Sequence, residues 1–118
     1  MSVAIEFPSV ATLQMQSFVG GLLGRPVRDS EVTAFTRRAR NVQPRLTERA
    51  ALVLFALSVS AASITANHFP LKPGVLWVVL HSLHDLGLVE ITGERWRAEV
   101  MLAEEGRTLI KQAASHGH

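Results

Sequence analysis

The sequence of 118 residues contains no cysteine and no tyrosine. Without cysteine the chain can form neither disulfides nor thiolate metal sites. An intracellular location fits this composition, and we expect the protein to be cytoplasmic. Its apolar content of 47% with 19% charged residues is typical of a folded globular protein rather than a disordered one.

The sequence also lacks a segment that would place it in a membrane. Its N-terminus, MSVAIEFPSV, has no basic region followed by an apolar stretch, as a secretory signal would have. The most apolar run, residues 50–62, is well short of the roughly 20 residues that a membrane span requires. We therefore expect a buried helix there and no contact with a membrane.

Motifs for catalysis are absent as well. No glycine-rich phosphate loop follows a strand, and no Gly-x-Ser-x-Gly elbow occurs. Glu104 and Glu105 are adjacent, so on a helix they point to different faces and do not form a carboxylate pair. We predict that the protein is not an enzyme, has no catalytic residues and needs no cofactor.

Histidine is the one remaining type of metal ligand, apart from carboxylates. His81 and His84 are three residues apart beside Asp85, and two imidazoles at this spacing on a helix can share a metal ion. His68, His116 or His118 would have to complete the ligand set. A metal site needs three or four converging groups, and no second paired motif supplies them, so we expect no metal.

The arginines are concentrated in one part of the chain. Residues 1–59 contain seven arginines and four acidic residues, whereas residues 60–118 contain five basic and six acidic residues. The densest stretch is TRRARNVQPRLTER, which ends at Arg49. A polyanion would be attracted there first. The alternative interpretation is a solvated helix face followed by a loop.

The hydrophobic periodicity predicts five helices in the first three quarters of a single domain. The first runs from Ser9, a possible N-cap, to about Leu23. The third begins at Thr47 and is apolar nearly all round, as a central core helix is. The fifth starts after Pro73 and ends at Gly87. The five predicted ranges are residues 9–23, 31–41, 47–59, 60–68 and 74–86.

After Gly87 the apolar period changes from near 3.6 to near 2. We predict a strand over Leu88–Ile91, a turn at residues 92–94 and a second strand over Trp96–Leu102. In that second strand Trp96, Ala98, Val100 and Leu102 would share one face. A further helix is expected from Glu104.

Two segments of the sequence resemble a known family. PGVLWVVLHSLHDLGLVEI resembles the recognition helix and first wing strand of MarR-like and PadR-like bacterial regulators, and VMLAEEGRTLI resembles the second wing strand and the following helix. The resemblance implies a mainly α fold: a winged helix-turn-helix with a two-stranded β wing and an N-terminal helical extension. It covers residues 47–111, leaving residues 1–46 as the extension and residues 112–118 as a flexible tail.

This resemblance implies a small DNA-binding transcriptional regulator that binds double-stranded DNA as a homodimer, with residues 1–46 in the dimer interface. The recognition helix and its start would contribute base or groove contacts, the wing would meet the flanking groove, and the arginine-rich segment would contact the DNA backbone. The implied DNA-contacting residues are Arg37, Arg38, Arg40, Arg45, Lys72, Trp77, Val78, His81, Ser82, His84, Arg95 and Arg97.

The sequence departs from that pattern in the recognition helix, which contains no Arg, Lys, Asn or Gln, the side chains best shaped for paired base contacts. Trp77 and Val78 lie just beyond the core positions of that helix. An exposed Trp-Val pair is typical of a protein-binding hot spot, so the alternative function is a winged-helix adaptor or inhibitor that binds a protein partner. Trp77 packed under residues 1–24 is a further interpretation. Arg95 and Arg97 are equally open to interpretation as solvated charges beside Glu94 and Glu99.

Overall fold

A computed structural model describes residues 10–60 and 63–115. Within them the chain is mainly helical, with a small antiparallel sheet. The helices are α1 (Val10–Leu23), α2 (Asp29–Val42), α3 (Glu48–Val59), α4 (Pro73–Asp85) and α5 (Glu104–Ser115), and the strands are β1 (Ile64–Thr65), β2 (Val89–Thr92) and β3 (Glu99–Leu102). The predicted cap at Ser9 lies outside the described residues.

Helix α3 is the centre of the core, as its sequence predicts. Its buried side chains lie all round the helix: Ala50, Ala51, Leu52, Val53, Leu54, Ala56 and Leu57. Thr47 caps it, because its side-chain oxygen accepts a hydrogen bond of 3.1 Å from the backbone N–H of Ala50. Helices α1, α2, α4 and α5 and strand β3 all pack on α3.

The N-terminal helices belong to this same core. Met15 and Val19 of α1 are buried, and α1 packs mainly on α3. Helix α2 lies between α3 and α5, and its Phe35 stacks on Phe55 of α3 with ring centres 4.7 Å apart. Residues of the predicted extension therefore share one hydrophobic core with the rest of the chain.

The start of α2 is fixed by a surface ion pair. Arg25 donates two hydrogen bonds of 2.9 Å to the Glu31 carboxylate. These hydrogen bonds hold the pKa of Glu31 below its ordinary value. Glu31 also accepts a 3.4 Å hydrogen bond from the backbone N–H of Arg28, so the pair ties the loop before α2 to its first turn.

The prediction of a helix over residues 60–68 is wrong for the part that the structure describes. Ile64 and Thr65 form β1, which pairs with Val100 and Glu99 of β3. A single 3-10 turn, Ala66–His68, follows. Two β-branched residues favour the extended conformation, and burial of Ile64 against β3 stabilises it.

The sequence predicts a sheet of two strands, but the observed sheet has three, in the order β1-β3-β2, because β1 pairs with β3. The second predicted strand is also shorter than expected, because it begins at Glu99 rather than Trp96. Residues 93–98, called the hairpin turn below, contain a 3-10 turn at Arg95–Arg97. The predicted alternation holds from Ala98 onward, with Ala98 and Val100 buried and Glu99 exposed.

Helix α4 ends just before Gly87, as the sequence predicts. Gly87 has a φ of 75°, and its N–H donates to the His84 carbonyl while that of Leu88 donates to the Leu83 carbonyl. This pair of bonds is the Schellman motif. It turns the chain directly into β2, so that β2 begins at Val89.

A second glycine allows α5 to approach this turn. A Cβ at Gly106 would overlap the carbonyl oxygen of Leu88, which also accepts a 3.0 Å hydrogen bond from the Ala103 N–H. The backbone of α5 thus lies directly against the junction between α4 and β2.

We predict that Gly106→Ala lowers the free energy of unfolding by about 1–3 kcal/mol, because backbone atoms must move to admit the methyl group. Urea denaturation measures this. The matched control is Gly21→Ala, where an added Cβ meets nothing within 4 Å in a helix. There the stability should rise by about 0.5–1 kcal/mol. Equal effects at the two sites would contradict the close contact between α5 and Leu88.

Candidate functional site

Helix α4 presents one face to the core and another to solvent. Leu76, Val79, Leu80 and Leu83 are buried, which fixes the rotation of the helix. The opposite face carries Val78, which is 71% exposed, together with exposed His81, His84 and Asp85. Of the two residues just beyond the core positions, Val78 faces solvent, whereas Trp77 is half-buried.

A shallow, open depression of about 580 Å³ lies along this outward face. We call it the α4 depression. The residues that line it are Arg45, Trp77, Val78, His81, Ser82, Asp85 and Leu86. Five of the predicted DNA-contacting residues are thus brought together at one place: Arg45, Trp77, Val78, His81 and Ser82.

Arg45 reaches the depression from the loop between α2 and α3. Leu46 is buried beside it, and the Leu46 N–H donates a 3.1 Å hydrogen bond to the Gln43 carbonyl. The backbone N–H of Arg45 bonds the Gln43 side chain at 3.3 Å. The loop backbone is therefore held on both sides of Arg45, while the Arg45 side chain stays exposed.

Trp77 connects α4 to the hairpin turn. Its ring centre is 6.1 Å from that of Trp96 and 6.0 Å from that of His81, with interplanar angles of 48° and 42°. Both distances are within the range of favourable aromatic pairs. Trp77 and Trp96 are called the tryptophan pair below. Trp77 thus packs against the hairpin turn, whereas α1 packs on α3.

The conformation of the hairpin turn determines where Trp96 lies. Gly93 and Arg95 have φ values of 99° and 52°, and the Arg97 and Ala98 N–H groups donate to the Glu94 and Arg95 carbonyls. The turn also contacts the 3-10 turn at Ala66–His68, and the Ala66 N–H donates to the Ala98 carbonyl at 2.8 Å. Trp96, 37% exposed, is thereby held on Trp77, with exposed Arg95 and Arg97 on either side.

Positive charge around this surface is not neutralised within the structure. The ion pair recorded in residues 10–60 and 63–115 is Arg25–Glu31, far along the chain from the site. Arg45, Arg95 and Arg97 have no ion-pair partner among those residues. Asp85 lies in the depression, Glu94 in the hairpin turn and exposed Glu99 directly after it, so the surface carries carboxylates as well as cations.

The other predicted residues do not line the α4 depression. Arg37 and Arg40 are exposed on α2, and Arg38 is half-buried with no hydrogen-bond partner for its Nε. Helix α2 packs mainly on α3 and α5 rather than on α4. Lys72 is exposed just before α4 begins.

The packing of Trp96 on Trp77 was not predicted, because the sequence pattern places Trp96 on the face of a strand. The sequence carries no signal for this contact, because residues 96–102 alternate as a strand does. Leu86, the residue before Gly87, was not among the predicted contacts but also lines the depression.

Within residues 10–60 and 63–115, no three His, Asp or Glu side chains are grouped so that they could hold a metal ion. His116 and His118, considered above as ligands, lie outside the described residues. Over the same part of the chain, no helix combines the length and the apolar character needed to cross a membrane.

Comparison with protein-family models, with curated proteins and with solved structures found no match to this chain.

We predict that Trp77 and Trp96 stabilise the fold jointly. Trp77→Leu, Trp96→Leu and the double variant should give a coupling energy of about 0.5–1.5 kcal/mol in urea denaturation, because each variant removes the same ring contact. The control cycle combines Trp96→Leu with Leu13→Ala, an exposed position on α1, and should be additive within about 0.5 kcal/mol. An additive tryptophan cycle would mean that the two rings do not pack together in solution.

Proposed function

We propose that the protein is a small cytoplasmic transcriptional regulator, without enzymatic activity, that binds double-stranded DNA through α4 and the hairpin turn. The observation that carries the proposal is a group of guanidinium groups without an ion-pair partner among the described residues: Arg45 lines the α4 depression, and Arg95 and Arg97 flank Trp96, which packs on Trp77 of α4. DNA binding depends on such cations, because each neutralised phosphate releases counterions.

In this proposal α4 enters the major groove, which is wide enough for an α-helix. Arg95 and Arg97 contact the backbone or the flanking minor groove, and Arg45 contacts phosphate beside the helix. Val78 offers an apolar contact to a thymine methyl group, while Ser82 and His81 offer hydrogen bonds. Because α4 lacks Arg, Lys, Asn and Gln, we expect its sequence selectivity to be modest.

Support for a winged-helix fold comes from the order of elements after α3. A helix, α4, leads through a tight glycine turn into the β2–β3 hairpin and then into α5, as the MarR-like and PadR-like resemblance implies. One part departs from a standard helix-turn-helix: a three-residue 3-10 turn, and not a full helix, precedes α4. The proposed family membership therefore rests on α4 and the elements that follow it, the β2–β3 hairpin and α5.

Dimerisation through residues 1–46 stays a prediction. In α1 the exposed leucines are Leu13, Leu22 and Leu23. At about 100° per residue, Leu13 and Leu22 point in opposite directions from the helix axis, so these leucines do not form one apolar stripe. A homodimer would fit a palindromic operator. The described side chains of α1, however, do not offer one continuous apolar face for a dimer interface.

We predict that Arg95→Gln with Arg97→Gln weakens binding to a random-sequence duplex and lowers the slope of log affinity against log salt by nearly two units, at about 0.9 per lost phosphate contact. Fluorescence anisotropy at several salt concentrations measures both. The matched control, Arg37→Gln with Arg40→Gln, removes equal charge from α2 and should change the slope by less than half as much. Equal slopes for the two double variants would contradict the assignment of the hairpin turn to the interface.

The exposure of Val78 favours a second candidate function, a protein-binding adaptor or inhibitor that does not read DNA. Val78 is 71% exposed beside half-buried Trp77, and Trp is enriched in the hot spots of protein-binding surfaces. In that function the α4 depression would take apolar side chains of the partner.

Val78→Lys separates the two functions. If α4 contacts DNA, the added cation should tighten duplex binding and raise the salt slope by about 0.9. Val78→Gln, of similar polarity but without charge, is the control and should leave the slope unchanged. A Lys variant with unaltered duplex affinity would place α4 outside any DNA interface and favour the protein-binding candidate.

A further inference from the structure

Three aromatic rings form a continuous series on the proposed binding surface. Trp96 of the hairpin turn contacts Trp77 of α4, and Trp77 contacts His81 one helical turn further along. Neighbouring ring centres are 6.1 and 6.0 Å apart. Trp96 and His81 are exposed, and the depression beside Trp77 and His81 is open to solvent.

Contact with an intact duplex would use a hydrogen bond from His81 but would leave the faces of the three rings without a role. Paired bases in DNA are stacked about 3.4 Å apart along each strand, so their faces are covered and only their edges face the grooves. Rings about 6 Å apart cannot follow that spacing. The bidentate edge-reading side chains are also missing from α4. An aromatic side chain interacts best with the face of a base, which is free only in an unpaired strand.

The cations are arranged to accompany such a strand. Arg95 and Arg97 flank Trp96 in the sequence, and Arg45 lines the depression together with Trp77 and His81. A strand whose bases lie against the rings would therefore have guanidinium groups available for its phosphates both beside Trp96 and in the depression. The depression, about 580 Å³, is within the range of small-ligand sites and leaves room for a base beside Trp77.

We infer that Trp96, Trp77 and His81 form a stacking surface for unpaired bases, so that the protein binds single-stranded DNA at this site. The inference rests on the proposed function, because the same surface contacts DNA. It differs in that the DNA is single-stranded rather than duplex and that the bases are bound by stacking rather than at their edges. Positive charge supplies attraction to the phosphates, and the rings distinguish a single strand from a duplex. Sequence preference should be slight, since every base has a face that can stack.

The experiment uses oligo(dT) and a random-sequence duplex as separate probes of the full chain. Trp77 and Trp96 are the two tryptophans of the sequence, so quenching of intrinsic fluorescence reports directly on bases at the tryptophan pair. Anisotropy of end-labelled oligo(dT) gives the affinity. We expect saturable quenching and a dissociation constant for oligo(dT) below that for the duplex at the same salt concentration.

Variants of the aromatic residues distinguish base stacking from electrostatic attraction to the phosphates. Trp96→Leu should weaken oligo(dT) binding about ten- to a hundredfold, the range for loss of one stacked base, while Trp96→Phe should retain it within about threefold. Because Trp96 also holds the hairpin turn, the exposed His81 provides the second test. His81→Ala should weaken oligo(dT) binding, and His81→Phe should maintain or strengthen it. Both His81 variants remove the hydrogen bond that His81 offers to a base edge, so they should weaken duplex binding to a similar extent, whereas oligo(dT) binding should differ between them.

Each outcome decides between the inferences. Oligo(dT) binding that quenches tryptophan and follows the aromatic variants supports the stacking surface. Duplex binding that depends on Arg95 and Arg97, with oligo(dT) binding absent or insensitive to the aromatic variants, overturns the stacking surface and leaves the proposed function intact. Strong aromatic-dependent binding of oligo(dT) with no duplex binding supports the stacking surface and overturns the duplex-binding regulator. Failure to bind either probe overturns both.

Discussion

The burial of α3 on all sides is the constraint on which the rest of the fold depends. A helix with apolar side chains all round cannot leave any face in water without exposing part of the core. It must therefore be surrounded, and α1, α2, α4, α5 and β3 supply the cover. Each covering helix has a buried side that faces α3 and an outer side that is free. The functional surface of α4 is consequently a result of how α4 covers the core.

The same constraint explains why the hairpin turn lies where it does. Leu80 and Leu83 fix α4 on α3, and Gly87 then directs the chain back as β2. Strand β3 is held between β2 and the short β1, so the connection between β2 and β3 meets the outer side of α4. Core packing and one glycine thus place Trp96 against Trp77, although neither ring is part of the central core.

Local sequence signals were sufficient for the elements that depend on local interactions. The apolar period, Pro73 and Gly87 predict α4 within a residue of its ends, and the cap at Thr47 and the all-round apolar pattern predict α3. Residues 60–68 were mispredicted because β1 exists through pairing with β3, which is more than 30 residues later in the sequence. Helical periodicity contains no information about such a partner.

The site was predictable only in part for the same reason. The outward residues of α4 follow from its periodicity, and Arg45 was selected for its charge. The contact between Trp77 and Trp96 depends on a 3-10 turn and on the positive φ of Arg95, which a sequence of alternating side chains does not indicate. The arginines of α2 illustrate the converse: their density in the sequence is high, but Arg37, Arg38 and Arg40 do not line the α4 depression, and their contact with DNA stays a prediction.

The packing of α2 against α5 has a consequence for how the chain folds during synthesis. Val32, Phe35 and Ala39 of α2 are buried, and α5, which helps to cover α2, leaves the ribosome last among these elements. Until then the nascent chain holds α1 to α4 with an apolar surface still open to water and to other proteins. The core is therefore complete only after α5 has been synthesised. Until then the incomplete chain is the form most prone to aggregate or to be bound by chaperones.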